Sequence, residues 1–236
     1  MTNTSSLFAK TMAMVVHLFT ASGLVVGFWA LIALEKEHWK TATLLMLLAL
    51  LIDGIDGTFA RMFRVKEVLP NFDGKTIDYV IDFFTYAILP AYFLYKAHLL
   101  PPQLEAIGVA MVLLVSAIYY GKEGMVSEGY HFIGFPVMWN VVVWYMFFIF
   151  SLSPSLNFLA IVFFSILHFV PIKYPYPSRT RQYQLLNIIM TALLFVALAY
   201  SIYRSPEKTY WNYLAIVPII YYAIVSLLYT FQTPKA

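Results

Sequence analysis

The chain contains no cysteine and few charged residues. Of its 236 residues only 11% are charged, whereas a soluble domain carries about 25%. The missing cysteine excludes disulfides, thiolate nucleophiles and cysteine-ligated zinc. The low charge content, with a net charge of only +3, excludes an ordinary soluble domain, a disordered chain and a basic nucleic-acid-binding protein.

Hydrophobic residues take the place of the missing charges. They make up 61% of the chain, and the mean hydropathy is +0.76. Because a membrane-spanning helix needs about 20 apolar residues, we expect an all-α integral membrane protein that forms a single polytopic domain over residues 1–236. Eight transmembrane helices are predicted: Thr11–Leu34, His38–Phe63, Ile77–His98, Gln103–Tyr120, Phe132–Leu152, Ser155–Ile172, Gln184–Tyr203 and Thr209–Phe231.

The basic residues are unevenly divided between the two sides of this topology. Cytoplasmic loops carry an excess of Lys and Arg, so the richer side is assigned to the cytoplasm, together with both termini. Ten basic residues fall on that side and five on the other: Lys10, Arg61, Arg64, Lys66, Lys75, Lys122, Lys173, Arg179, Arg181 and Lys235 against Lys36, Lys40, Lys96, Arg204 and Lys208.

Four aspartates lie near the cytoplasmic ends of predicted helices 2 and 3. Asp53 and Asp56 are spaced i,i+3, and Asp78 and Asp82 are spaced i,i+4, so each pair shares one helix face. Acidic residues within membrane segments are costly and functional by default. If the two helices pack antiparallel, the four carboxylates converge, and we expect one or two hard divalent cations to offset their repulsion. Magnesium usually completes its ligands with substrate phosphates, which predicts a phosphorylated substrate.

Residues with little bulk accompany the acids. Gly57, Ala60 and Gly74 lie on or beside the acidic faces, where they allow a ligand or another helix to approach closely. Arg61 can pair with a phosphate. Small residues also serve as helix-packing points, and the basic residues that follow Arg61 also serve as anchors on the cytoplasmic side.

These residues resemble the signature of the CDP-alcohol phosphotransferase family, D-x2-D-G-x2-A-R followed by G-x3-D-x3-D. The 12-residue spacer 62–73 is longer than in most of the family, and eight predicted helices exceed the six of the family core. Both features, with the stretches 17–23 and 134–140, resemble the bacterial phosphatidylcholine synthase branch. The resemblance implies a six-helix core with two extra C-terminal helices. All eight signature positions match: Asp53, Asp56, Gly57, Ala60, Arg61, Gly74, Asp78 and Asp82.

The resemblance also implies a reaction. An alcohol, in this branch free choline, attacks CDP-diacylglycerol, and a phosphatidyl lipid and CMP are formed with Mn²⁺ or Mg²⁺ as cofactor. Asp53, Asp56 and Asp78 are expected as metal ligands, and Asp82 as the general base and a further ligand. Gly57, Ala60, Arg61 and Gly74 would shape the CDP and phosphate pocket. A homodimer in the bacterial inner membrane, among membrane lipids, is expected, with the active site toward the cytoplasm.

The choline ammonium group cannot donate an N–H hydrogen bond, so aromatic faces and a nearby anion are expected to bind it. The same aromatic residues are also typical of interfacial belts and cores. Lys173, Arg179 and Arg181 are candidates for binding lipid phosphate, or they belong to a cytoplasmic loop that is basic because of the positive-inside rule. Candidates for choline flank the loop between predicted helices 4 and 5: Tyr119, Tyr120, Glu123, Glu128, Tyr130, Trp139 and Asn140.

Two alternatives stay open from the sequence. Within the transferase class, the acceptor alcohol could be serine, inositol or its phosphate, or glycerol 3-phosphate. In another class, intramembrane acids could serve an ion or solute transporter, although such sites lie near the bilayer midplane and are often accompanied by repeats and broken helices. Release of CMP from CDP-diacylglycerol separates the two classes, since a transporter would produce none.

Overall fold

The computed structural model describes residues 6–127 and 129–232, which are mainly helical. The chain divides into two compact units, Met1–Leu89 and Pro90–Ala236. Among the described residues, five helical stretches are long and apolar enough to cross a membrane. The prediction of an all-α membrane protein is therefore confirmed. The five stretches are Leu7–Glu35, Trp39–Met62, Gly74–Lys96, Gln184–Arg204 and Tyr210–Gln232.

The first unit contains α1 (Leu7–Glu35), α2 (Trp39–Met62), α3 (Val65–Val68) and α4 (Gly74–Asp82). Ala13 and Val16 on α1 pack with Val65 to form a buried cluster beside the end of α2. Asp73 caps the start of α4, where its side chain accepts a hydrogen bond from the Lys75 N–H at 3.1 Å. The hydrogen bond that it accepts from the Thr76 hydroxyl is the main cause of its lowered pKa. Helix α4 continues as a π-helical segment, Phe83–Ile88, into α5 (Leu89–Lys96), whose residues from Pro90 onward belong to the second unit.

The second unit contains shorter apolar helices followed by two long ones. Three of its helical stretches are shorter than the length that spans a membrane unaided: 105–120, 139–150 and 154–167. They occupy the positions of predicted helices 4, 5 and 6. The elements are α6 (Glu105–Tyr120), β1 (His131–Ile133), α7 (Trp139–Trp144) with a π-helical continuation (Tyr145–Phe150), α8 (Pro154–Leu167), β2 (Lys173–Pro175), α9 (Gln184–Arg204) and α10 (Tyr210–Gln232).

A two-stranded antiparallel sheet takes the place of the start of predicted helix 5. Helix 5 was expected to begin at Phe132, yet Phe132 pairs with Tyr174, and the helix begins at Trp139. Gly134 explains the break, because it has φ +91° and a Cβ there would lie 1.9 Å from the His168 carbonyl oxygen. The predicted start of helix 5 was therefore wrong, and the helix in the position of predicted helix 6 ends at Leu167 instead of Ile172.

Helices α9 and α10 are joined by a buried polar cluster around Asn187. The Asn187 side chain is fully buried, accepts a hydrogen bond from the Tyr221 hydroxyl at 2.8 Å and donates one to the Tyr229 hydroxyl at 3.3 Å. The backbone carbonyl oxygen of Asn187 accepts hydrogen bonds from the Thr191 and Tyr222 hydroxyls. Polar contacts of this kind hold membrane helices together where lipid competes with apolar packing.

Replacing Asn187 by leucine is expected to lower the free energy of unfolding by about 1–2 kcal/mol, because the Tyr221 and Tyr229 hydroxyls lose a buried partner. The thermal denaturation midpoint of the detergent-solubilised protein measures the effect. Asn71→Leu, the same change at an exposed position, is the control and should leave the midpoint nearly unchanged. Equal midpoints for the two variants would show that the cluster does not stabilise the helix pair.

Candidate active site

Three of the four aspartates meet in the first unit. One carboxylate oxygen each of Asp53, Asp78 and Asp82 lies within 4.8 Å of the other two. Asp53 comes from α2, whereas Asp78 and Asp82 lie one turn apart on α4. The i,i+4 spacing on α4 and the packing of α1 against both acid-bearing helices thus create a compact acidic cluster.

A hydrogen bond from Tyr86 positions one acid of this cluster. The Tyr86 hydroxyl donates to Asp53 Oδ2 at 2.6 Å, and the carboxyl group of Asp53 lies beside that of Asp82. Tyr86 is 7% exposed and belongs to the π-helical segment that follows Asp82. Sequence reasoning missed Tyr86, which lies outside the aspartate signature; its position four residues after Asp82 was the available signal.

The donor set fits a hard divalent cation. Carboxylate oxygens are the ligands that Mg²⁺, Mn²⁺ and Ca²⁺ prefer. Asp82 Oδ1 is buried and has no hydrogen-bond partner among the described residues, although a buried carboxylate oxygen normally requires one. Asp53, Asp78 and Asp82 could therefore hold a metal ion, and a cation there would satisfy the Asp82 oxygen.

Asp56 lies outside this cluster of three. It is 7% exposed, and its carboxyl group is hydrogen-bonded to the side chain of Thr20 on α1. A separation of three residues rotates a side chain by about 60° around the helix axis, which turns Asp56 from the direction of Asp53 toward α1. Asp56 still interacts electrostatically with Asp53. The assignment of Asp56 as a fourth metal ligand stays a prediction.

The four pocket residues predicted around the acids have different surroundings. Arg61 is exposed and donates a hydrogen bond to Thr58 at 3.0 Å. Ala60 packs against the buried cluster of Ala13, Val16 and Val65. Gly57 and Gly74 are half-buried. Arg61 is thus the cationic side chain of the signature that is accessible to a phosphate, and the pocket assignments stay predictions.

The residues predicted to bind choline belong to the second unit, and several are buried there. Trp139 is completely buried, stacks on His168 with ring centroids 5.2 Å apart, and donates to Ser116 at 2.9 Å. Asn140 accepts the Val141 N–H at 2.8 Å. Tyr119 also packs on His168, at 5.4 Å. One ring face of Trp139 is therefore covered by the imidazole. Of the other candidates, Tyr120 is half-buried, Glu123 and Tyr130 are exposed, and Glu128 lies outside the described residues.

The basic residues predicted to receive lipid phosphate lie on or beside β2. The Arg179 guanidinium lies 5.6 Å from the Tyr130 ring centroid and 5.0 Å from that of Tyr176, so it is held between two aromatic rings. Lys173 is half-buried, and burial followed by the Lys173 charge lowers the pKa of the nearby His131. Arg181 is exposed. Their lipid-binding role stays a prediction.

Changing Tyr86 to phenylalanine is expected to weaken Mn²⁺ binding about 10–100-fold, because groups that orient a metal ligand contribute this much to affinity. Mn²⁺ titration followed by isothermal calorimetry measures the change directly, and high Mn²⁺ should restore most activity. Tyr95→Phe, the same change at an exposed position farther along this helical stretch, is the control. An unaltered Mn²⁺ affinity in Tyr86→Phe would contradict the role assigned to the hydroxyl.

Comparison with known proteins adds independent information about the chain as a whole. No protein-family model matches the chain. The chain is 36% identical to the phosphatidylcholine synthase of Agrobacterium fabrum over 228 residues, which cover 96% of the chain and 94% of the relative. It is 38% identical to that of Pseudomonas aeruginosa, covering 84% and 82%, and 36% identical to that of Rhizobium meliloti, covering 89% and 87%.

Proposed function

The chain belongs to the phosphatidylcholine synthase family, and we propose that it transfers the phosphatidyl group of CDP-diacylglycerol to free choline, releasing CMP. The observation that carries this proposal is the convergence of Asp53, Asp78 and Asp82 within 4.8 Å, in a chain similar to these synthases over nearly its whole length. Three convergent carboxylates are suited to a metal-dependent phosphate transfer.

The residues divide the chemistry among them. The choline oxygen forms a bond to the phosphorus that carries diacylglycerol, while the bond from that phosphorus to the bridging oxygen breaks and CMP leaves with the electron pair. Asp82 accepts the hydroxyl proton as general base. Asp53 and Asp78, with Asp82, would hold Mn²⁺ or Mg²⁺, which when bound would neutralise pyrophosphate charge. Arg61 pairs with a phosphate oxygen.

The experiment that tests the function uses purified protein in mixed micelles with CDP-diacylglycerol, Mn²⁺ or Mg²⁺, and one labelled alcohol at a time. Choline-dependent formation of both CMP and labelled lipid is the expected result. Reaction with serine, inositol or glycerol 3-phosphate instead would keep the chemistry but overturn the acceptor. If no alcohol gives CMP, the transferase proposal fails and the transporter alternative returns.

The choline contacts are tested separately. Glu123→Gln is expected to raise the KM for choline without changing that for CDP-diacylglycerol, because it removes an anion that would face the ammonium group. Lys122→Gln is the neighbouring control. An unchanged choline KM in Glu123→Gln, together with one in Trp139→Phe, would remove both residues from the choline site.

The membrane arrangement is part of the same proposal. The three shorter helices also cross the membrane, which gives eight spans with a six-helix core. Both termini and the acidic site lie toward the cytoplasm of a bacterial inner membrane. The protein assembles as a homodimer. Local thinning of the bilayer would accommodate the short helices.

Since the chain lacks cysteine, single cysteines introduced by mutation report on which side of the membrane a loop lies. Glu207→Cys should react with an impermeant maleimide in intact cells, and Lys122→Cys only after permeabilisation; the opposite pattern would invert the orientation. Cross-linking tests the dimer.

A further inference from the structure

His17 on α1 is a buried polar side chain whose ring nitrogen is unsatisfied. The residue is 8% exposed, and its Nε2 atom has no hydrogen-bond partner among the described residues. A buried polar atom of this kind is normally paired, and leaving it unpaired destabilises the folded state. The proposed reaction mechanism gives His17 no role. A bound ligand would provide the hydrogen-bond partner that Nε2 lacks.

The imidazole lies against the N-terminal end of α4. A Cβ placed on Gly74, the first residue of that helix, would lie 3.0 Å from His17 Cε1 and 3.6 Å from His17 Nδ1, so the Cε1–Nδ1 edge of the ring faces Gly74. The Phe72 ring lies 5.7 Å from the imidazole and packs beside it. Gly74 therefore leaves room for the imidazole beside the start of α4, next to the Asp73 cap.

The same face of α1 also reaches the acidic residues. Thr20, one turn after His17, is hydrogen-bonded to Asp56. Helix α1 thus contacts α2 through Thr20 and the start of α4 through His17. These are the two helices that carry the metal-binding carboxylates.

We propose that His17 is a substrate-binding residue whose Nε2–H donates a hydrogen bond to a pyrophosphate oxygen of the CDP group. A pyrophosphate oxygen beside His17 would give the buried nitrogen the hydrogen-bond partner that it lacks. This inference rests on the proposed function, since that function supplies a pyrophosphate substrate.

The test compares two substitutions of different chemistry. His17→Leu keeps the volume but removes the donor, whereas His17→Gln retains an N–H near the position of Nε2. His17→Leu is expected to weaken CDP binding in the presence of Mn²⁺, and to raise the KM for CDP-diacylglycerol, by about 10–100-fold. The choline KM should stay unchanged, and His17→Gln should recover most of the loss. Calorimetry with CDP and Mn²⁺ provides the binding data.

The controls separate the possible failures. Wild-type CDP and CDP-diacylglycerol constants in His17→Leu would overturn the assignment. Equal losses in both variants, accompanied by lower thermal midpoints, would assign His17 to packing alone and also overturn it. If the wild-type protein binds CDP but produces no CMP with choline, the proposed function fails, whereas weakened CDP binding in His17→Leu would still support the contact.

Discussion

Removing divalent cations is expected to abolish choline-dependent CMP release, and adding Mn²⁺ or Mg²⁺ should restore it. Asp53, Asp78 and Asp82 place three carboxylates within 4.8 Å of one another, and without a cation these charges would repel both each other and the substrate pyrophosphate. The loss should therefore be nearly complete, because Arg61 alone cannot offset both the three carboxylates and the pyrophosphate.

The measurement is CMP release after EDTA treatment and desalting, followed by titration with each cation. The thermal midpoint serves as a second readout, since a ligand that binds the folded state raises it with concentration. Mn²⁺ should raise the midpoint of the wild-type protein, and Asp78→Asn should abolish or greatly reduce that rise. Full activity in the chelated, desalted protein would disprove the metal requirement.

Changing Asp82 to asparagine is expected to lower kcat by about 10²–10⁴-fold, the usual contribution of a general base. The amide keeps the shape of the carboxyl group but can neither accept the hydroxyl proton nor carry the charge that a cation prefers. Asp82 Oδ1 is buried without a partner among the described residues, so the substitution alters an atom positioned for a ligand.

Asp73→Asn is the matched control for this experiment. It makes the same chemical change at the residue that caps α4, where asparagine is as good a cap as aspartate, and its activity should stay within about twofold of wild type, because exchanging these caps barely alters helix stability. If Asp82→Asn retains more than a tenth of the wild-type kcat, Asp82 is not the base. A Mn²⁺ titration of the variant then shows whether it serves as a ligand only.

The membrane helices and the acidic cluster were largely predictable from local patterns. Asp53 and Asp78 lie on separate helices joined by a short segment, and their helical spacing was sufficient to anticipate that they meet. Helix boundaries agreed where apolar runs were long, as in Trp39–Met62 and Tyr210–Gln232. These features depend on side-chain periodicity and hydropathy, which the sequence displays directly.

Other features depended on distant parts of the chain. Phe132 appeared to begin a helix, but its backbone pairs with Tyr174, and Gly134 turns the chain against the His168 carbonyl. Asp56 was grouped with the other acids, yet its hydrogen bond to Thr20 directs it toward α1. Neither partner is close in sequence, so no local pattern announces the pairing.

The sequence by itself determined that this is a helical membrane protein with four aspartates at helical spacing near the ends of two neighbouring helices. Hydropathy and residue spacing are local properties, and eight positions within 53–82 match the signature that the chain resembles. The tertiary structure decided which three acids meet, that Tyr86 supports Asp53, and that His17 lies at the start of α4 with an unpaired nitrogen. Such contacts arise from how helices pack and rotate against one another, and that rotation is set by side chains far apart in the chain.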